Sequence, residues 1–292
     1  MAAHRGQVYT SVILKILVWL AATLTAGVIL CLVGYVLITG IPNLKPGLFA
    51  WKFTTENQSM MPALVNTLCI VVIALVLAVP IGVGAAIYLV EYAKRGNKLV
   101  KLVRLTAETL SGIPSIVYGL FGMMFFNVFL GWGYSMLAGA VTLAIMILPL
   151  ILRTTEEALI SVPDSYREGS FGLGAGKLRT VFSVILPPAM PGILSGIILG
   201  IGRIVGESAA LIFTSGSGKE NLSFVTEEGF SLLAPLFQST RTLSVHMYNL
   251  MSEGLYMAEA QATAVVLLVL VVSINALSAF AAKKLTKGNE HG

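Results

Sequence analysis

Long apolar runs alternate with short polar segments along this chain. Six of the runs are about 20 residues or longer, the length that an α-helix needs to cross the ~30 Å hydrocarbon core of a bilayer. The six runs are roughly 13–39, 63–89, 106–130, 136–155, 190–213 and 262–282. The pattern therefore predicts an all-α polytopic membrane protein with six transmembrane helices.

Helix-breaking or charged residues interrupt three of these runs. The third run contains Gly112 and Pro114, and irregular backbone at membrane depth survives only where protein buries it or where it lines a cavity. A proline kink without a role in transport is the alternative interpretation. The fifth run carries Arg203 and Glu207, and the fourth ends near Arg153. Arg153 is either a candidate for the substrate pathway or a side chain that reaches the cytoplasmic interface.

Composition agrees with a membrane protein. Of the 292 residues, 56% are hydrophobic and 11% are charged, against about 25% charged in soluble domains. The net charge of +5 could indicate nucleic-acid binding, but the basic residues fall in short loops between apolar runs, where they act as topology signals. Their distribution predicts that both termini and the 156–188 loop are cytoplasmic. Membrane lipid is the expected surrounding, and no nucleic-acid partner is expected.

One face of the fifth run combines small and charged residues. At 100° per residue, a narrow helical face holds Gly192, Gly196, Gly200, Arg203 and Glu207. Small residues every four positions let another helix approach closely, and charges within a span face protein or water. Two hypotheses stay open for the charges: a structural ion pair, or an arginine that faces the path of an anion and is oriented by the glutamate.

The sequence offers no catalytic constellation and no nucleotide site. Gly176 and Lys177 are followed by Leu178 where a P-loop requires Ser or Thr. Cys31 and Cys69 show neither metal-site spacing nor a disulfide framework. We therefore predict no catalytic and no metal-ligating residues. If the protein transports actively, its energy comes from a partner or from an ion gradient.

A polar loop before the fifth run carries a spaced motif. Its residues are Glu168, Gly169, Ser170, Gly174, Leu186 and Pro187. The second of its glycines is expected to end a short helix, and the proline to stop the next segment before the fifth run. The motif resembles the coupling loop of importer-type ABC transporter permeases, which reads Glu-Ala-Ala, three residues, Gly, nine residues, Ile-x-Leu-Pro. Here Gly and Ser replace the two alanines and Val184 replaces Ile.

Further segments strengthen this resemblance. Residues 112–122, 157–163 and 203–209 look like the permeases of the phosphate importer, and 243–249 is similar to the PstA type within the binding-protein-dependent ABC importer permease family. The likeness covers the chain from about Pro62 to the last run.

The resemblance implies a type I ABC importer permease in a bacterial inner membrane. Its implied partners are a second permease of the PstC type, a dimer of PstB-type ATPase subunits that bind ATP and Mg²⁺, and an extracytoplasmic phosphate-binding protein of the PstS type. This chain would bind no cofactor itself. It would form half of the translocation pathway and couple to the ATPase through residues 165–187. Permeases for sulfate or molybdate are the alternative, and a self-sufficient secondary transporter is a third.

The predicted organisation has three parts. Residues 1–62 form the first transmembrane helix and an exterior loop, 63–284 form the permease core with its cytoplasmic coupling loop, and 285–292 form a cytoplasmic tail. The longest exterior segment, 214–261, is expected to hold a short helix on the membrane surface. His246 within it is expected to be structural or exposed rather than a ligand.

Overall fold

The computed structural model describes residues 2–94, 96–226 and 229–288. Its α-helices are α1 (Ala2–Gly40), α2 (Met61–Ile87), α3 (Lys98–Ser111), α4 (Ser115–Gly122), α5 (Met136–Ile160), α6 (Asp164–Gly172), α7 (Lys177–Arg179), α8 (Leu186–Gly206), α9 (Ala209–Thr214), α10 (Leu243–Glu253) and α11 (Met257–Gly288). Two-residue strands β1 (Val225–Thr226) and β2 (Gly229–Phe230) pair antiparallel. Of the predicted tail, residues 289–292 lie outside the described part.

Six membrane crossings fit this arrangement. Within the described ranges, five helical runs are long and apolar enough to span a bilayer, and a bent pair makes a sixth. The five runs are Ser11–Asn43, Met61–Tyr92, Met136–Ile160, Lys177–Gly206 and Met257–Phe280. The all-α transmembrane architecture expected from the apolar runs is therefore confirmed, with the small strand pair as an addition.

Helix α5 forms the centre of the bundle. The Ser135 hydroxyl accepts a hydrogen bond from the Ala138 N–H at 3.2 Å and caps the start of the helix. In the most apolar stretch of α5, 67% of the residues are buried by the rest of the protein, whereas in that of the first span the share is 0%. Leu143, Ile147 and Ile151 are fully buried in the cluster that joins α5 to α2 and α8. Close packing, rather than the removal of apolar surface from water, stabilises such contacts in a bilayer.

The third span is two helices that meet at a sharp corner. Helices α3 and α4 are bent by 103°. Pro114 precedes α4 and lacks a backbone N–H, and its ring disfavours helical geometry at Ile113. The Tyr118 hydroxyl donates a hydrogen bond to the Leu110 carbonyl at 2.8 Å and closes the corner. The irregularity expected from the sequence is present, and its bend is far larger than an ordinary proline kink.

The predicted boundaries of the fifth span were wrong at both ends. The span is one helical run that begins at Lys177 rather than near residue 190, so Pro187 does not stop a separate segment before it. Pro187 lies in the first turn of α8, directly after a π-helical turn at Thr180–Ile185. That wider turn accommodates the missing N–H and the ring of the proline without ending the helix. At its other end the helix stops at Gly206, and α9 follows as a separate element.

The segment 214–261, predicted to be exterior, packs into the bundle. Thr242 caps α10 through its hydroxyl, and the Leu243 N–H donates to the Thr67 hydroxyl at 2.9 Å. The first turn of α10, from Leu243 to His246, is buried. The short helix expected in this segment is present as α10, and its first turn is fastened to α2 and α11; its position at the membrane surface stays a prediction.

Candidate functional site

A cleft of about 720 Å³ opens between α3, α5 and the end of α8. Arg203 and Arg153, two of the three predicted pathway residues, both line it. Arg104 contributes a third guanidinium from α3. The α3–α4 corner turns α3 against this end of α5, so the broken third span builds one wall. The irregular span and the intramembrane arginine therefore belong to one site.

The three arginines of the cleft differ in their partners. Arg104 forms an ion pair with Glu156, whose side chain is mostly buried on α5. Arg153 pairs with Glu157 at 3.0 Å, where both side chains are about two-thirds exposed (67% and 64%). Arg203 has no carboxylate partner within the ranges that the structure describes. Its fixed positive charge is left available to an anion that enters the cleft.

The expected i,i+4 pair of Arg203 with Glu207 is wrong. Glu207 follows the last residue of α8 and has extended backbone geometry (ψ 124°), so helical spacing no longer applies to it. Its carboxylate instead accepts a hydrogen bond from the Ala210 N–H at 3.1 Å, and its carbonyl accepts one from Ser244 at 2.7 Å. Glu207 shapes the break between α8 and α9 and does not line the cleft.

The three predicted packing glycines lie on the wall of α8 that faces α5. A Cβ atom at Gly192 would stand 2.6 Å from the Cβ of Ala158, and one at Gly196 would overlap the Thr154 side chain. At Gly200 the nearest atom, from Ile147, would be 3.8 Å away. Only glycine permits this approach at the first two positions.

The predicted coupling motif forms a short helix and a tight turn. Glu168 and Gly169 lie exposed on α6. The chain then turns at Gly174, whose φ of +79° is a left-handed conformation that glycine adopts without strain. The N–H groups of Gly174 and Ala175 donate to Phe171 and Ser170 at 2.9 and 3.1 Å and close the turn.

The remaining motif residues are internal. The Ser170 hydroxyl bonds the Thr180 hydroxyl at 2.8 Å in a buried contact, which ties α6 to the π turn at the start of the fifth span. Leu186 and Pro187 are half-buried in the first turn of α8. A serine in place of the usual alanine therefore supplies a cross-link that the resemblance alone did not predict.

Arg167 is the residue of this segment that sequence reasoning missed. Its guanidinium pairs with Glu91, at the end of the second span, at 2.7 Å. It also donates to the Val162 and Leu159 carbonyls at 2.8 and 2.9 Å and contacts Asp164 at 3.2 Å. One side chain thus joins α6, the end of α5 and the second span. Its position next to Glu168 was the available signal, but a basic residue in a loop indicates only topology when the sequence is considered alone.

At the opposite end of the bundle lie a buried arginine and a buried histidine. Arg241 is 3% exposed, with its guanidinium 4.7 Å from the Phe53 ring centroid. Burial lowers the pKa of Arg241 to about 10, against a smaller rise from Glu253. Burial, followed by the charge of Arg241, lowers the pKa of His246 to about 3. His246 is therefore a neutral residue of the packed interior. Among the residues that the structure describes, no group of three or more His, Cys, Asp or Glu side chains could hold a metal ion.

Comparison with known proteins identifies the family to which this architecture belongs. Residues 78–287 match the family described as "Binding-protein-dependent transport system inner membrane component". The chain belongs to this family. A member from Bacillus subtilis (strain 168), "Probable ABC transporter permease protein YqgI", is 37% identical over 245 residues, which cover 81% of each chain. "Phosphate transport system permease protein PstA 1" of Mycobacterium tuberculosis (strain ATCC 25618 / H37Rv) is 42% identical over 154 residues, 53% of this chain and 49% of that protein.

Solved structures of ABC importers share the fold of this family member. A chain of the bacterial alginate ABC transporter, solved with its alginate pentasaccharide-bound periplasmic protein, aligns over 97% of this chain and 96% of its own, with a TM-score of 0.64 and 15% identity. A chain of the MetNI methionine ABC transporter aligns over 77% and 94%, with a TM-score of 0.59 and 21% identity. These likenesses confirm the type I importer permease architecture.

Proposed function

We propose that this chain is the permease subunit of an ATP-driven phosphate importer. The observation that carries the proposal is Arg203, a guanidinium without a carboxylate partner among the described residues, in the cleft between α3, α5 and α8. Guanidinium groups bind tetrahedral oxyanions through paired hydrogen bonds. The names of relatives such as "Phosphate transport system permease protein PstA" of Mycobacterium leprae (strain TN), 34% identical over 197 residues, support phosphate as that anion.

The cleft would form half of the translocation pathway, with the other half supplied by a second permease of the PstC type. An extracytoplasmic phosphate-binding protein of the PstS type would deliver the anion from the outside. Arg153 lines the same cleft but has its own carboxylate. It would therefore adjust the potential of the pathway rather than bind the anion directly.

ATP would be hydrolysed by a PstB-type dimer on the cytoplasmic side, with Mg²⁺ bound there and not by this chain. The surface of α6 and its turn suits such a partner, since Tyr166, Phe171 and Leu173 are 51%, 48% and 91% exposed. Apolar patches of this kind mark protein interfaces. The distribution of the basic residues supports the proposal that this end of the bundle, together with both termini, lies on the cytoplasmic side of a bacterial inner membrane.

Force on α6 would reach two spans by separate contacts. The Arg167–Glu91 ion pair connects α6 to the second span. The Ser170–Thr180 hydrogen bond connects it to the fifth span, whose α8 carries Arg203. Nucleotide-driven movement of α6 would thereby open and close the cleft, as alternating access requires.

Uptake of radiolabelled phosphate by cells that carry Arg203 variants tests the proposal. Arg203→Gln should lower uptake at least tenfold, whereas Arg203→Lys should retain part of it because the charge stays and the paired hydrogen bonds are lost. Arg153→Gln is the matched control and should change uptake by less than about threefold. Co-purification of the ATPase shows that each variant still assembles. Competition by sulfate or molybdate would reassign the anion, and uptake without any ATPase would refute the coupling.

A further inference from the structure

A second cleft, of about 570 Å³, lies beside the first along α3, nearer the start of that helix, and shares Arg104 and Ile160 with it. The lysines Lys94, Lys98 and Lys101 surround it, and Leu89, Val90 and Val100 give it an apolar floor. No acidic side chain of the described chain lines it. Nor does any of the three lysines form an ion pair within the described ranges. Nothing in the proposed transport mechanism uses this cleft.

Helix α3 has the character of a helix that lies in a membrane interface. Its inner face packs through Val100 against Leu89 and Leu152. Its outer face carries three leucines that are each more than half exposed: Leu99, Leu102 and Leu105. The 103° bend directs α3 across the helical run Ser115–Phe129 rather than along it, so α3 runs along the bilayer surface when that run crosses the bilayer. A helix with exposed leucines and flanking lysines in this orientation inserts its apolar side beneath the headgroups.

The depth of the cleft agrees with this orientation. It is bounded by the end of the second span, where Tyr88 and Tyr92 are 47% and 39% exposed. Exposed tyrosines at the end of a span mark the headgroup level of the membrane. Cations that surround a cleft at that level, above an apolar floor, match an acidic phospholipid: the lysines meet the phosphate and the floor receives the first part of the acyl chain.

We propose that this cleft binds the headgroup of an anionic phospholipid of the inner leaflet. Arg104 lines this cleft and also the neighbouring Arg203 cleft, and its ion pair with Glu156 joins α3 to α5. A bound lipid thereby holds one wall of the transport cleft in place. The site does not depend on which oxyanion the transporter carries.

Native mass spectrometry of the full-length chain in detergent, titrated with phosphatidylglycerol or with phosphatidylcholine, tests the proposal. The anionic lipid should bind more tightly, and Lys98→Gln/Lys101→Gln should weaken it about thirtyfold, since each lysine near an acidic headgroup contributes about fivefold. Binding of phosphatidylcholine should not change. The control Lys45→Gln/Lys52→Gln removes the same charge before the start of α2, at the opposite end of the second span, and should change neither affinity by more than about twofold.

Four outcomes would overturn the proposal. The first is equal affinity for the two lipids, and the second is unchanged phosphatidylglycerol binding in the double variant. The third is displacement of the lipid by excess inorganic phosphate. The fourth is that assembly with the other transporter subunits, in the absence of lipid, protects Lys98 and Lys101 from amine labelling. The third would assign the cleft to a free anion and the fourth to a protein partner. Should the double variant fail to fold, a salt titration of the unaltered chain replaces it: phosphatidylglycerol affinity should fall as KCl rises, and a flat response contradicts the site.

Discussion

Removing the carboxylate of Glu91 should weaken the joint between α6 and the second span. The side chains of Arg167 and Glu91 are 16% and 7% exposed, so little water is available to replace a lost partner. Breaking a buried ion pair by removing one member costs about 3–5 kcal/mol. Arg167 would keep its bonds to the Val162 and Leu159 carbonyls and its ion pair with Asp164. The expected loss of stability in Glu91→Gln is therefore at the lower end of that range, about 3 kcal/mol.

A double-mutant cycle isolates the pair itself. Glu91→Gln, Arg167→Gln and the double variant are unfolded by denaturant in detergent micelles, and the coupling free energy is taken from the four stabilities. It should exceed about 1.5 kcal/mol, since the double variant leaves no buried charge without a partner. The exposed Arg153–Glu157 pair is the matched control, with coupling of about 0.5 kcal/mol or less.

The same variants separate assembly from transport. Glu91→Gln should still co-purify with the ATPase, because the exposed surface of α6 is unchanged, while phosphate uptake per ATP hydrolysed should fall severalfold. A coupling free energy no larger than that of the control pair would show that the Arg167–Glu91 ion pair does not hold α6 to the second span. Loss of ATPase association would show that the pair shapes the docking surface and does not transmit its movement.

Three other substitutions address the turn, the glycine wall and the buried histidine. Gly174→Ala should lower the free energy of unfolding by about 1–2 kcal/mol and reduce co-purification of the ATPase, because the φ of Gly174 is +79°. The control Gly172→Ala, with nothing within 4 Å of an added Cβ, should leave co-purification unchanged. Gly196→Val should destabilise the chain by about 1–3 kcal/mol in a denaturant titration because it overlaps α5, whereas Gly206→Val enters open space. His246 has a pKa of about 3 in the fold and about 6.5 when unfolded, so the unfolded chain binds the proton first as pH falls. Stability should therefore drop by up to about 1.4 kcal/mol per pH unit below pH 6.5, and His246→Gln should flatten that slope; an equal slope in both chains would contradict the assignment.

The spans were predictable because each apolar run had the length of one bilayer crossing. The corner at Pro114 was also foreseeable, since the missing N–H and the preceding glycine weaken the helix there. The 103° angle of the corner could not be predicted from the sequence. That angle depends on the Tyr118–Leu110 hydrogen bond and on packing against other helices, neither of which leaves a periodic signal in the sequence.

The site was partly predictable. Helical spacing correctly grouped Gly192, Gly196 and Arg203 on the face towards α5, because they share one unbroken helix. It failed for Glu207, since the helix had already ended. The Arg167–Glu91 pair joins residues 76 positions apart, and charge patterns identify partners only at helical spacings of three or four. Long-range pairs of this kind come only from the folded arrangement.

The π-helical turn at Thr180–Ile185 has a consequence for how this protein tolerates changes in length. A π turn holds one residue more than an α-helix needs, so deleting a single residue there would restore an ordinary helix. It would also rotate everything before the turn by about 100° and shift it by about 1.5 Å relative to α8. The segment that we propose faces the ATPase would then point away from that partner, although every remaining residue was unchanged. In a screen of variants, one-residue deletions across this turn should be lost more often than most substitutions at the same positions.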